Sequence, residues 1–557
     1  MAEAESVDES SPLSASSVSS SYGTTTDDSH DTTTTVETDT ERAVTATNDD
    51  NKVRLSSNVW SIISVLLLGE FIANADTSLV FASNARISSE FGELQNANWL
   101  STAYGLGLCA VQPMYGKLSD IYGRKLILLV AYSLFAAGCI ICGVAGQMWQ
   151  VILGRAVTGV GGAGMVTLAS VIITDLVPKR EVAQWRAYVN ISMTLGRSLG
   201  GPLGGFLTDS IGWRWLFLIQ APLIGIAALL VVTRLSITHV QPSTTVVDEE
   251  DDPKSKLGRI DFAGILFLST SVISGMLLLD LGGQKFPWLS IYTVGLAVSA
   301  VALFVAFVLT EVYIAREPIF ALHILRQPNV AASYLVMTLQ IVSQVGMMYT
   351  IPLYFQITAR SSATVAGAHL VPAVVGNALA GLVAGATIKQ TGRYKSLIVS
   401  AGLIASVTYI LLFLRWNGAT NFWESLYILP GGIGTGIAQA GSFVSMTSKL
   451  QPQDIAMATG GFFLCTSVGV STGITGYNAA IELEFGRRLR QKLTGKGAEK
   501  IINRVLSDAS YIKSLHGPVR DIVVSSYIAG LKHTYLISLT CSLLASAIAL
   551  TIRNHQL

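Results

Sequence analysis

Charge is scarce in this 557-residue chain. Asp, Glu, Lys and Arg make up 13% of it, against about a quarter in an ordinary soluble domain. Half of the residues are hydrophobic and the mean hydropathy is +0.51, which excludes a water-soluble globule of this length. The net charge of +1 leaves no basic surplus with which to hold nucleic acid. Cysteine is also sparse. The five thiols (Cys109, Cys139, Cys142, Cys465 and Cys541) all fall in apolar stretches. Cys139 and Cys142 have CxxC spacing, but no second ligand pair accompanies them, so a packed helix face is expected rather than a metal or redox centre. No Gly-x4-Gly-Lys-Ser/Thr run is present, which removes direct ATP coupling. No nucleophile–base set stands out and no cofactor is expected, so an enzyme is not the reading.

What the chain has is apolar length. A span needs about 20 apolar residues to cross the hydrocarbon. About fourteen stretches qualify: near 58–82, 98–117, 126–146, 151–175, 187–208, 214–235, 260–281, 289–312, 330–355, 366–388, 396–414, 424–447, 455–477 and 527–551. The 51 glycines suit such a bundle, because small residues let helix backbones approach closely in lipid.

Residues 1–55 differ in kind. Ser, Thr, Asp and Glu dominate and large apolar residues are few, so this tail cannot offset its ordering entropy and is expected to be disordered. It holds no apolar run of signal-peptide type, and the first span is expected to direct its own insertion. A second acidic stretch, 236–258, reads as a linker ahead of the seventh span. Residues 479–526 read as a long connection before the last span. Within that connection the basic run Phe485-Gly-Arg-Arg-Leu-Arg-Gln-Lys-Leu493 has the character of a surface-lying helix.

Lys and Arg are unevenly shared among the short loops. On the N-terminal side lie Lys117, Arg124 and Lys125, then Lys179, Arg180 and Arg186, then Arg316 and Arg326, then Lys389, Arg393 and Lys395. The opposite loops hold mostly single charges such as Arg86, Lys285 and Arg360. The positive-inside rule then predicts cytoplasmic termini.

One turn is repeated. Gly116-Lys-Leu-Ser-Asp-Ile-Tyr-Gly-Arg-Lys-Leu126 joins the second and third spans, and Gly385-Ala-Thr-Ile-Lys-Gln-Thr-Gly-Arg-Tyr-Lys395 joins the tenth and eleventh. In each copy a Gly is followed seven positions later by Gly-Arg. The repeat divides the protein into a six-helix half at 56–235, an inserted pair at 259–312 and a second six-helix half at 329–553, as in secondary transporters built from internal repeats.

These residues resemble the major facilitator superfamily. The first turn matches the family signature between its second and third helices. Val151-Ile-Leu-Gly-Arg-Ala-Val-Thr-Gly-Val-Gly-Gly-Ala163 is similar to its fourth-helix motif. Gly196-Arg-Ser-Leu-Gly-Gly-Pro-Leu-Gly-Gly205 is similar to the antiporter motif of its fifth helix. Asn74-Ala-Asp-Thr-Ser78 and Ile260-Asp-Phe-Ala-Gly264 resemble the fourteen-span drug:proton antiporter branch, and within it the fungal vacuolar basic amino acid transporters. The resemblance implies an all-α polytopic fold, expected to be a monomer, that exchanges protons for a cationic amino acid or drug by alternating access. The vacuolar membrane is the favoured location, with the plasma membrane as the alternative. A drug or toxic-metabolite exporter and a non-transporting nutrient sensor remain as alternatives.

Ionisable groups inside a span are costly and therefore candidates for function. Asp76 is the first choice for proton and substrate coupling, and Glu70 is a second carboxylate on a different face of the same helix. The alternative for either is a pairing with arginine. Arg155, at the position of the family's fourth-helix arginine, stays charged and would act on a carboxylate rather than carry the proton. Arg197 places a cation inside the antiporter motif. The resemblance makes Gly116, Asp120, Gly123, Arg124, Lys125 and Asp175 a conformational lock. Lys389 replaces Asp120 in the second copy, so a weaker lock is expected there. Gly196, Gly200, Gly201, Pro202, Gly204 and Gly205 are expected to thin and kink one helix for close packing. Asn74, Asn190, Gln340, Gln344, Tyr354, His369 and Gln439 are candidate cavity residues. Asn190-Ile-Ser192 has glycosylation spacing, but it lies within a span.

Overall fold

A computed structural model describes residues 36–93, 96–235, 261–282, 286–315, 322–493 and 515–555, with 499, 501–502, 505 and 512 between the last two stretches. The tail before residue 36 and the acidic linker at 236–258 lie outside these residues. The chain forms two units, Met1–Ser57 and Asn58–Leu557; apart from the start of the first helix, the second contains the elements described below.

The described residues are almost wholly helical. In the first half, α1 is Val36–Glu90, α2 Trp99–Tyr122, α3 Arg124–Val144, α4 Met148–Leu176 and α5 Lys179–Ser210. Two stacked pieces, α6 (Arg214–Leu218) and α7 (Gln220–Arg234), complete it as one span. The inserted pair is α8 (Phe262–Leu281) and α9 (Ile291–Tyr313). The second half has the short α10 (Leu322–Leu325), α11 (Pro328–Thr358), the short α12 (Ala363–Ala368), α13 (Val371–Thr391), α14 (Lys395–Arg415), α15 (Leu429–Thr447), α16 (Pro452–Lys492) and α17 (Gly517–Ala549).

Among the described residues, 11 spans are long and apolar enough to cross a membrane. α2, α5 and α15 are of comparable length, and all three take part in the contacts between the halves or beside them. Their lower apolarity fits that place, since polar and small residues are tolerated where protein, not lipid, is the neighbour.

Two boundaries differ from expectation. Helix α1 is drawn from Val36, inside the stretch expected to lack structure. Once a packed span has nucleated a helix, each further residue adds at little cost. The basic run Phe485–Leu493 is not a separate surface helix. It continues α16 without a break to Lys492, and Phe485 and Leu489 are buried.

The repeated turn explains how the halves meet. Gly116 on α2 lies against α16, where a Cβ would come within 2.3 Å of the Ala456 carbonyl oxygen. Gly385 on α13 lies against α5, where a Cβ would fall 2.7 Å from the Gln184 Cα. Equivalent glycines of the two copies thus form equivalent seams, α2 with α16 and α13 with α5. The second glycines, Gly123 and Gly392, have φ of 89° and 66°, a left-handed backbone that favours glycine. Both seams therefore close at the end of the bundle that carries the repeated turns.

Candidate substrate and proton site

Asp76 and Glu70 leave α1 in different directions, as a six-residue separation requires. Asp76 is fully enclosed. Its Oδ2 meets Arg155 Nη1 of α4 at 2.6 Å, and its Oδ1 accepts from Gln220 Nε2 of α7 at 3.2 Å. Arg155 also donates from Nε to the Leu100 carbonyl at 3.1 Å, and its guanidinium lies 4.6 Å from the Tyr104 ring centroid. Both carboxylate oxygens are occupied by groups of the first half alone.

Glu70 has a different setting. It is buried, and its Oε2 accepts from Asn74 Nδ2 at 3.4 Å, while its Oε1 has no hydrogen-bond partner. Asn74 in turn accepts from Arg197 Nε at 3.0 Å. The cations interacting with Glu70 are Arg186 and Arg197, both on α5. Arg186 donates to the Ser170 hydroxyl and lies 4.4 Å from the Phe443 ring and 5.3 Å from the Phe463 ring, and its Nε has no partner.

Arg186 and Arg197 line a cavity of about 50 Å³ between the halves. α5 also contributes Asn190, Met193, Thr194 and Ser198. α11 supplies Met337, Ile341, Gln344 and Met348, α15 supplies Gln439, and α16 supplies Phe462, Phe463 and Thr466. That volume holds only a few waters. The site is therefore a closed, amphipathic chamber with two guanidinium groups on one wall and a thioether and aromatic lining on the other.

At the turn end, Arg124 gathers two carboxylates. It lies 2.5 Å from Asp120 and 3.0 Å from Asp175, and it also donates to the Ser119 hydroxyl at 2.6 Å. Lys125 is not part of this set and donates to the Val232 carbonyl at 2.8 Å. The second copy is not empty of such contacts, as its Lys389 pairs with Glu181 on α5 at 3.1 Å. This pair crosses between the halves, whereas the Arg124 set stays within one.

The pattern of the Major Facilitator Superfamily matches residues 66–474. The chain belongs to that superfamily. It is 31% identical over 502 residues, 90% of this chain and 85% of the relative, to the "Vacuolar membrane amino acid uptake transporter fnx2" of Schizosaccharomyces pombe. It is 30% identical, over 87% of this chain and 90% of the relative, to the "Multidrug resistance protein fnx1" of the same yeast. It is 29% identical, over 81% of this chain and 96% of the relative, to "Vacuolar basic amino acid transporter 2" of Saccharomyces cerevisiae. Among solved structures, that of the human organic anion transporter MFSD10 superposes with a TM-score of 0.55 at 12% identity, covering 87% of this chain and 99% of that one; this shows the shared fold. The protein is thus a multi-pass membrane transporter of the superfamily.

Within this major facilitator fold, the glycine motif of α5 divides in two. Gly196, Gly200 and Gly204 face α1, where a Cβ would come within 2.5–2.7 Å of the carbonyls of Phe71, Ala75 and Leu79. Gly201 and Gly205 have no neighbour within 4 Å, so they do not take part in this packing. Pro202 lies inside the helix between them.

The polar candidates divide as well. Asn190 donates to Asn377 across the α5–α13 seam at 2.5 Å, and Gln344 and Gln439 line the chamber. Gln340 is buried but turned towards Gly402 of α14. Tyr354 and His369 are not chamber residues. The Tyr354 hydroxyl accepts from the Gly418 amide and Thr420, while His369 stacks on Phe355 at 3.6 Å and bonds Ser425 at 2.8 Å. An aromatic at the end of a long span is served best by loop polar groups, and these two find theirs there.

Arg186 is the chamber-lining residue that loop counting concealed. It sits beside Lys179 and Arg180 in sequence, but α5 begins at Lys179 and carries Arg186 two turns inward. The signal is the run Arg186, Asn190, Met193 and Arg197, spaced by four, three and four residues along one helix face.

Proposed function

We propose that the protein is a proton-coupled antiporter of basic amino acids (lysine, arginine and histidine) in the vacuolar membrane. The observation that carries this reading is Glu70: a buried carboxylate with one free oxygen, interacting with the two arginines that line the chamber between the halves. Such a group exchanges a proton for a substrate cation as access alternates, since either one can occupy its unbound oxygen. The vacuolar relatives support the substrate class and the membrane.

In this mechanism the termini and the repeated turns face the cytoplasm. The seams at Gly116 and Gly385 are closed, and transport requires them to part while the opposite end closes. Arg124, Asp120 and Asp175 hold the ends of α2, α3 and α4 together as the first half moves. The Asp76–Arg155 pair keeps α1 and α4 in one rigid body, while Glu70 does the coupling. Exchanging one proton leaving the vacuole for one monovalent cation entering it moves no net charge, so the pH gradient drives it, each pH unit supplying roughly 1.4 kcal/mol. One such unit supports about tenfold accumulation.

Uptake of labelled lysine, arginine and histidine into energised vacuolar membrane vesicles tests the reading. Protonophore-sensitive uptake that Glu70→Gln abolishes, with folded protein present, is the expected result. Absence of uptake above control overturns it.

A second reading, export of cationic drugs across the plasma membrane, is favoured by one feature. Met193, Met337, Ile341, Met348, Phe462 and Phe463 give the chamber an adaptable apolar wall. Efflux of a lipophilic cation without amino acid uptake selects it.

A further inference from the structure

We infer that Arg186 and Arg197 receive the carboxylate of an amino acid substrate while Glu70 receives its α-ammonium, so that the transporter recognises the zwitterionic main-chain group and not a free cation. The inference rests on the transport reading above and names the chemistry that reading leaves open.

The charge of the chamber carries the argument. Two guanidinium groups line it and one carboxylate stands behind them. A substrate that is only a cation would enter against two like charges with a single partner, in a site of few waters where such repulsion is weakly screened. An amino acid head carries both signs a few bonds apart and meets the two arginines and the carboxylate behind them at once.

The unmet groups point the same way. Buried polar atoms in native proteins are nearly always hydrogen-bonded. Here a donor, Arg186 Nε, and an acceptor, Glu70 Oε1, are both buried and unpartnered. A carboxylate satisfies the first and an ammonium the second, each by a charge-assisted bond. Arg197 is tied to Asn74 through Nε alone, which leaves its remaining donors for the same carboxylate.

The side chain of a basic amino acid then extends towards α11 and α16. Its methylene stem lies along Met337 and Ile341, and its cationic tip comes over Phe462, where a ring face attracts it. Protonating Glu70 removes the partner of the α-ammonium while the arginines keep theirs, so proton and substrate compete for one oxygen pair.

The test uses the full chain in proteoliposomes and competes labelled lysine with unlabelled analogues. Cadaverine is lysine without its carboxylate, and 6-aminohexanoate is lysine without its α-amino group. Each analogue is expected to compete about tenfold or more weakly than lysine, the cost of a lost charged hydrogen bond. Competition by cadaverine within about threefold of lysine overturns the inference but leaves lysine transport standing. Failure to transport lysine at all overturns both. A companion variant, Arg197→Gln, is expected to shrink the preference for lysine over cadaverine. If that variant does not fold, the analogue series on the wild type decides alone.

Discussion

The Asp76 carboxylate and the Arg155 guanidinium meet at 2.6 Å with side chains 0% and 1% exposed. Nothing of this pair reaches the chamber, and Gln220 takes the second carboxylate oxygen. Asp76→Asn leaves the Arg155 charge buried without a partner, which costs about 3–5 kcal/mol. The expected outcome is a large drop in the melting temperature of the detergent-solubilised protein. Replacing Arg155 as well, as in Asp76→Asn with Arg155→Met, is expected to recover much of that drop. Normal stability of Asp76→Asn with lost proton coupling would show Asp76, not Glu70, to be the coupling group.

The two kinds of glycine on α5 separate in one experiment. Gly200→Ala sets a Cβ 2.5 Å from the Ala75 carbonyl, so α1 and α5 must part, a loss of about 1–3 kcal/mol. Gly201→Ala meets open space and gains helix propensity of about 0.8–1.0 kcal/mol. Thermal melting of the two variants is expected to move in opposite directions.

Lys389 and Glu181 are both partly exposed, so their pair contributes at most about 1 kcal/mol. Its reversal still biases a seam that must open. Lys389→Glu is expected to raise maleimide labelling of Asn377→Cys, because Asn377 lies buried behind this contact. Adding Glu181→Lys restores the attraction and is expected to bring labelling down again.

Glu90 lies at the end of α1 remote from the repeated turns, bonded by Arg214 at 2.6 Å and by the Trp213 ring N–H at 2.6 Å. These bonds hold its carboxyl below the usual 4.5. A lowered folded value stabilises the protein above the unfolded value and ceases to do so as pH falls through the folded one. Wild type is therefore expected to melt above Glu90→Gln at neutral pH, with the gap closing below the usual carboxylate range. The gap is expected to be small, as the two side chains are 44% and 40% exposed and solvent screens them.

The scaffold was largely legible before any coordinates. Apolar length marked the spans, and the recurrence of Gly116 and Gly123 at Gly385 and Gly392 marked two related halves. Spacing alone could not say that the first glycine of each copy serves a seam and the second a turn. Nor did it tell Gly200 from Gly201, since adjacent helix positions face about 100° apart and only the neighbours reveal which side is crowded.

The site was legible in part. Both α1 carboxylates stood out because charge is costly in lipid, but the partners of Asp76 come from residues 79 and 144 positions away, and the arginine bonded to Asn74 beside Glu70 comes from 123 positions away. The basic turn-end cluster hid Arg186, because its helix begins at Lys179, eight residues before the hydropathy boundary at 187.

By itself the sequence determined that this is a two-half membrane bundle with ionisable groups inside it, since hydropathy, helix period and a repeated turn are local properties. Only the tertiary structure decided that Asp76 is enclosed by Arg155 while Glu70 keeps an oxygen unbound. Which charge neutralises which depends on side chains brought together across four helices, and pairing at a few ångströms has no signature along the chain.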